Sequence, residues 1–179
     1  GFVDTDELYR MMSKVYVWDA VAADNYFIDY QNMYTHLGVI SLRTMFVVAA
    51  NAFIKAGEND RALEMLDKCA RTMKNFPLET IPLGFSGNDY MVIQMVDDYY
   101  KLGKPDLARN LALNLASDLL TSAKFYIEFY DYGKEEFELS GNYIYYLADV
   151  LKSGGDKEMS EKLTNALVKL AGAASKPKS

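Results

Sequence analysis

Residues 105–130, PDLARNLALNLASDLLTSAKFYIEFY, decide the fold class. Leu107, Ala108, Leu111, Ala112, Leu115, Leu119, Ala123, Tyr126, Ile127 and Tyr130 recur three or four apart, which lays one apolar stripe along one face of a helix. Asp106, Arg109, Asn110, Asn114 and Asp118 largely fill the other side. Pro105 suits the first helical turn, where its missing N–H costs no hydrogen bond. Aromatics make up 13% of the chain, with 14 tyrosines, a composition that on its own suggests strands; the period contradicts it.

Outward from this stretch the pattern repeats. Upstream, Ser86 or Asn88 is expected to cap a helix reaching about Leu102, with Ile93, Val96 and Tyr100 on one side and Gly103 supplying a left-handed terminus. Before that, Val39–Ala56 carries Leu42, Phe46, Ala49, Phe53 and Ile54 and ends at Gly57. Asn59 or Asp60 is then expected to cap a helix with Ala62, Leu63, Leu66, Cys69, Ala70 and Met73 that stops before Pro77. Downstream, Glu135–Leu151 shows Phe137, Ile144, Leu147, Ala148 and Leu151. Gly154 and Gly155 break it, and Asp156 caps a last helix with Met159, Leu163, Leu167 and Leu170. At the start, Asp4 followed by Glu7 reads as a capping box ahead of Leu8, Met11, Met12 and Val15. Trp18–Tyr34 reads as one more helix. The stretch 75–87, NFPLETIPLGFSG, is the long non-helical one.

The helix pairs resemble one another. Four residues before the turn glycine stand Phe53, Tyr99 and Leu151; five residues after it stand Ala62, Ala108 and Ser160. A small residue there lets two helices approach, and a hairpin of this kind must stack on a neighbour to bury its apolar face. The spacing resembles tetratricopeptide-like (TPR-like) repeats, without their usual tryptophan and with a longer period. The expected fold is all-α: stacked antiparallel helical hairpins forming a TPR-like α-α superhelix. Residues 1–38 form an N-terminal helical segment packed on the repeats. Residues 39–171 form the hairpins (39–75, 88–130 and 135–171) with a long loop at 76–87, and 172–179 is a disordered tail.

Read in order, Leu8-Tyr9-Arg10-Met11-Met12, Asn25-Tyr26-Phe27-Ile28-Asp29, Ala49-x-x-Phe53-Ile54-x-x-Gly57, Asp60-x-Ala62-Leu63-x-x-Leu66-Asp67-Lys68-Cys69, Ile81-Pro82 and Tyr99-Tyr100-x-x-Gly103 resemble the C-terminal soluble region of the DUF2723 family. These are large multi-pass membrane proteins of Bacteroidetes, whose membrane part is similar to integral-membrane glycosyltransferases. The resemblance spans about residues 8–150. It implies an inner-membrane protein with this region on the periplasmic side. It carries no catalytic residue onto these positions, because the family's chemistry would lie in the membrane part.

The residues themselves offer little chemistry. His36 and Cys69 are the only histidine and cysteine, so neither a zinc site nor an intrachain disulfide is expected. Asp89, Asp97 and Asp98 read as a solvated helix face rather than a cation site. Gly84-Phe85-Ser86-Gly87 has the wrong spacing for a nucleophile elbow, and Lys152-Ser153-Gly154-Gly155-Asp156 follows a helix and lacks the phosphate-loop lysine, so it reads as a turn. Glu128, Asp131, Glu135, Glu136 and Glu138 crowd Tyr132-Gly133 without isolating a catalytic pair. No catalytic, cofactor or metal residues are assigned, and no cofactor is expected.

The formal charge of -6 argues against nucleic-acid binding. No run of 18 apolar residues appears, so this segment is not expected to span a membrane itself. Gly1 reads as a residue left by tag cleavage, in which case the chain is expected to be a fragment of something longer. The aromatics cluster at Phe125–Tyr132, at Tyr143–Tyr146 and at Tyr26–Tyr34. Tyr126, Tyr130, Tyr132, Tyr143 and Tyr146 are the candidates for an interaction surface, although packing between stacked helices is the preferred explanation of such residues. The expected function is a non-catalytic accessory or protein-interaction domain. It would bind a protein or peptide segment, including the membrane part of its own chain, or position substrate for a membrane-embedded glycosyltransferase. The alternatives are a carbohydrate-binding module or small carboxylate-based hydrolase, with a glycan as partner, and a structural dimerisation domain.

Overall fold

A computed structural model describes residues 3–25, 39–83 and 86–174. Among them lie eight α-helices: α1 (Thr5–Arg10), α2 (Asp19–Ala22), α3 (Val39–Ala56), α4 (Asn59–Thr72), α5 (Ser86–Lys101), α6 (Pro105–Glu128), α7 (Tyr130–Ser153) and α8 (Lys157–Ala174). A π-helical turn at Met11–Val15 continues α1, and a 3-10 turn at Ile81–Leu83 precedes α5. The described residues contain no strand. The protein is all-α, with helices packed on helices throughout. His36 and the Tyr26–Tyr34 cluster lie outside the described residues.

Three hairpins share one turn. Gly57, Gly103 and Gly155 have φ of 77°, 69° and 95°, which a side chain would strain. Each glycine N–H donates to a carbonyl three residues back: Ile54 at 3.0 Å, Tyr100 at 3.0 Å and Lys152 at 3.2 Å. The next N–H reaches five residues back, to Phe53 at 2.9 Å, Tyr99 at 2.9 Å and Leu151 at 2.8 Å. This is the Schellman arrangement, and it satisfies carbonyls that the helix end would leave orphaned. The residues four before the glycine (Phe53, Tyr99, Leu151) and five after it (Ala62, Ala108, Ser160) are all buried, as the repeat in the sequence requires.

The tightness of this turn corrects the expected caps of α4. Glu58 closes the Schellman turn and is itself the N-cap position, so Asn59 and Asp60 already lie inside the helix. The Glu58 carboxylate caps nothing; it accepts from Thr5 Oγ1 and Arg61 Nη1, each at 2.7 Å. Asp156 does cap α8, accepting from the Met159 amide at 3.4 Å. Asp4 caps α1 by accepting from the Glu7 amide at 3.0 Å, but Glu7 completes no capping box: its carboxylate takes Arg10 instead.

The chain divides into two compact units, Gly1–Pro77 and Leu78–Ser179. In the first, α3 packs on α4, α1 lies against α3, and α2 lies against α4. Phe46, Val47, Ala50 and Phe53 of α3 and Met65, Leu66 and Cys69 of α4 are all buried in the core. Trp18 packs on Phe46 with centroids 4.6 Å apart and donates its indole N–H to the Met12 carbonyl at 2.9 Å. The helix expected over Trp18–Tyr34 is only α2 within the described residues. Ala70 is exposed, because the buried stripe of α4 runs through Ala62, Leu66, Cys69 and Met73 and leaves position 70 at its edge. Val15 is likewise exposed, beyond the reach of the face that buries Met12.

In the second unit α5, α6, α7 and α8 pack in sequence, and α5 also touches α7 while α6 touches α8. Two consecutive hairpins therefore stack through like helices. The buried line of α6 is Ala108, Ala112, Leu115, Leu119 and Ala123; Leu107 and Tyr130 fall outside it. Each fully buried Leu or Ile contributes roughly 1.5–3 kcal/mol. The long stripe breaks at Phe129 rather than running to Tyr130, and α7 begins at once, with a kink at Gly133 (φ -116°, ψ 23°). The stretch expected at 75–87 is displaced two residues towards the N-terminus at each end, since α4 ends at Thr72 and α5 starts at Ser86.

Candidate interaction surface

The α6–α7 junction concentrates exposed aromatic rings. Phe125 is 57% exposed, Phe129 54% and Tyr132 92%, and Tyr130 is also open. Their neighbours are mostly one another: Phe125 lies 5.1 Å from Phe129 and 5.5 Å from Tyr126, and Tyr130 meets Phe137 edge-on at 6.0 Å. The backbone explains the display. Phe129 alone separates two helices, and its carbonyl accepts the amides of Tyr132 at 2.9 Å and Gly133 at 3.0 Å. The chain reverses so abruptly that residues 129–132 have no neighbouring helix to cover them. Tyr126 is half-buried, its ring lying where a Cβ on Gly133 would sit, 2.8 Å from Cδ1. Burial raises the pKa of its hydroxyl, helped by the charges of Glu79 and Glu136.

Tyr143 and Tyr146 belong to a different face, along α7. Both are half-buried. Tyr146 stacks on Tyr90 of α5 with centroids 5.6 Å apart and planes at 9°, and its hydroxyl accepts from Gln94 Nε2 at 2.8 Å. Burial and the neighbouring Tyr90 hydroxyl raise the Tyr146 pKa. The five tyrosines singled out in the sequence thus divide between a protruding junction and a helix–helix seam. Tyr90, 42% exposed, is the ring that sequence reasoning missed; it sits four residues before Gln94, but only the fold shows that α5 and α7 are neighbours.

The segment 78–83 braces the junction from within the second unit. Asp89, fully buried, accepts from the Thr80 amide and hydroxyl, both at 3.1 Å, and Asn88 Nδ2 donates to the Leu78 carbonyl at 2.7 Å. Asn88 therefore ties down this segment instead of capping α5. Glu79 accepts from the Ile81 amide at 2.8 Å and from Ser122 Oγ at 3.0 Å, one turn before Tyr126. Burial, with the Glu79 charge beside it, pushes the Asp89 carboxyl up to about 7. Burial also raises Glu79 and Asp118. Asp97 and Asp98 pair with Lys101, at 2.7 Å and 3.3 Å. Asp98 is fully buried, so a wholly solvated face does not describe it.

Cys69 lies in the core of the first unit, where burial pushes its thiol up to about 11 against the opposing pull of Arg43. A thiol held so far from ionisation is a poor nucleophile at neutral pH. Lys134 is 3.8 Å from Glu138, while Asp131 and Glu135 stand exposed around the junction. Among the described residues no group of histidine, cysteine and acidic side chains converges to hold a metal ion, and no helix is long and apolar enough to cross a membrane. Comparison with protein-family models, with curated proteins and with solved structures gave no match.

Proposed function

We propose that this chain is a non-catalytic interaction domain whose contact surface is the aromatic junction at Phe125, Phe129, Tyr130 and Tyr132. The observation that carries the reading is the exposure of two adjacent phenylalanines above one half, beside a tyrosine almost free of cover. Clustered exposed aromatics are uncommon on a surface that meets only water, and they are enriched where surfaces meet partners. On the resemblance to the DUF2723 family, the domain belongs to an inner-membrane protein and sits on the periplasmic side. There it contacts the membrane part of its own chain or positions substrate for a membrane-embedded glycosyltransferase. Stacking of all three hairpins as a TPR-like superhelix is part of this proposal and draws on the shared turn geometry.

A second reading, a carbohydrate-binding module, draws on the Tyr90–Tyr146 pair, where a half-exposed ring adjoins Gln94. A dimerisation domain would use the junction to meet its own copy. The carboxylate-hydrolase alternative has less support: Asp89, whose carboxyl burial pushes up to about 7, is sealed from solvent and occupied by Thr80.

The test is a photo-crosslinking residue in place of Phe129 in the intact protein, with exposed Lys169 as the control position. The expected result is an adduct from position 129 to a segment outside these 179 residues, absent from the control. An adduct to position 129 of a second copy would favour dimerisation. No adduct above the control would overturn the proposal.

A further inference from the structure

The three hairpins differ at one equivalent position. Five residues after the left-handed glycine, Ala62 and Ala108 bury a methyl group completely, whereas the third hairpin places Ser160 there, 7% exposed. Alanine satisfies the packing at this site twice, so the hydroxyl is not needed for the helices to meet. Around it the backbone is paired: the Asp156 carbonyl accepts the Ser160 amide at 3.1 Å, and Thr164 Oγ1 donates to the Ser160 carbonyl at 3.0 Å. Among the described residues the Ser160 hydroxyl has no hydrogen-bond partner. Its oxygen is not sealed in the core: the buried side-chain oxygen left without a partner among the described residues is the Tyr100 hydroxyl.

The Ser160 side chain lines a cleft of about 430 Å³ formed with Lys152, Lys157, Glu161, Thr164 and Asn165. Lys157, Ser160, Glu161 and Thr164 share one face of α8 by their spacing, and Lys152 comes from the end of α7. Neither lysine is ion-paired among the described residues, and Glu161 is the one carboxylate in the lining, which leaves the cleft net positive on an acidic protein. The glycine-rich turn beside it takes no part: the amides of Gly154, Gly155 and Asp156 are spent on Val150, Lys152 and Leu151, and that of Met159 on Asp156.

We propose that this cleft binds an oxyanion of the phosphate class, with Lys152 and Lys157 providing charge and Ser160 the directional hydrogen bond at its floor. Two ammonium groups and a hydroxyl match an anion with several acceptor oxygens. The site lies apart from the aromatic junction in the chain, so it stands or falls independently of the proposed contact surface.

The experiment is amide-resolved NMR titration of the full 179-residue chain with inorganic phosphate and, separately, with phosphoethanolamine, against sodium chloride at matched ionic strength. The expected result is saturable shifts at Lys157, Ser160 and Glu161 with millimolar or tighter affinity. Affinity should fall at least fivefold in Ser160→Ala and at least tenfold in Lys152→Gln/Lys157→Gln. Ser160→Ala should fold normally, since alanine occupies the two equivalent sites. Tighter phosphoethanolamine would assign the group to an esterified phosphate and tighter inorganic phosphate to the free ion; either supports the site. Linear shifts matched by chloride, or an affinity unchanged in Ser160→Ala, would overturn it.

Discussion

The three hairpin turns and the α6–α7 junction both reverse the chain between helices, and they do so by opposite means. Each hairpin turn hands the reversal to a glycine with positive φ and two backbone hydrogen bonds, so its side chains stay packed. The junction has no such glycine. Phe129 turns the chain at φ -115° and ψ 38°, Gly133 kinks the next turn, and four aromatic rings are left facing solvent. Where backbone geometry alone makes the turn, the flanking residues belong to the core. Where it does not, the side chains around the turn are released from packing and become available for contact.

The brace under the junction should give the largest contrast. The Asp89 carboxyl titrates near 7 in the folded protein and near 3.8 when unfolded. The folded state therefore holds a proton that the unfolded state has lost across that window. Its contribution is fully present below about pH 4 and disappears as pH rises through 7. Taken alone this amounts to on the order of 4 kcal/mol. Urea melts at pH 5 and pH 8 should show the wild type losing stability at the higher pH. Asp89→Asn, which keeps an acceptor for the Thr80 amide, should lose much less. Equal pH slopes for the two proteins would remove Asp89 from the account.

Next in size is Gly154→Ala, beside the third turn. The added Cβ would lie 2.5 Å from Cγ of the Tyr100 ring, and overpacking of this kind costs about 1–3 kcal/mol. Gly103→Ala meets nothing within 4 Å, yet it forces an L side chain into φ 69° and should cost about 1–2 kcal/mol from the backbone alone. Gly133→Ala tests the other side of the comparison. Its φ is ordinary for any residue, but the added Cβ would meet Cδ1, Cβ and the backbone Cα of Tyr126 at 2.8, 3.3 and 3.4 Å, so overpacking of about 1–3 kcal/mol is expected. Thermal or urea melts rank the three. A Gly133 variant costing well under 1 kcal/mol would show that Tyr126 gives way freely and that its packing on Gly133 does not hold the junction.

Much of this was legible in the sequence because it rests on short-range regularities. Helical spacing placed α3 to α8, and the glycine with its offsets of -4 and +5 marked the three hairpins, since a Schellman turn needs little beyond a residue tolerant of positive φ. Caps were less legible: Asn59 and Asp60 are good capping residues, but a turn that closes on Glu58 leaves them already helical. The extent of the α6 stripe was overread at both ends, because Leu107 and Tyr130 match the period yet have no neighbour to bury them. The surface was legible only in part. Composition identified tyrosine clusters, whereas core and surface tyrosines differ by which helices adjoin, and that depends on contacts such as Tyr90 with Tyr146 that lie 56 positions apart in the sequence. The polar brace of Asn88 and Asp89 on residues 78–80 gave no signal beyond two residues that serve equally well in a helix cap.

The most direct measurement is urea denaturation of Phe125→Ser/Phe129→Ser/Tyr132→Ser. If these rings are kept for contact rather than for folding, the triple variant should lose about 1 kcal/mol or less, in line with substitutions at exposed positions. A loss of about 3 kcal/mol or more, the scale of emptying a core, would contradict the account and return the junction to the packed interior.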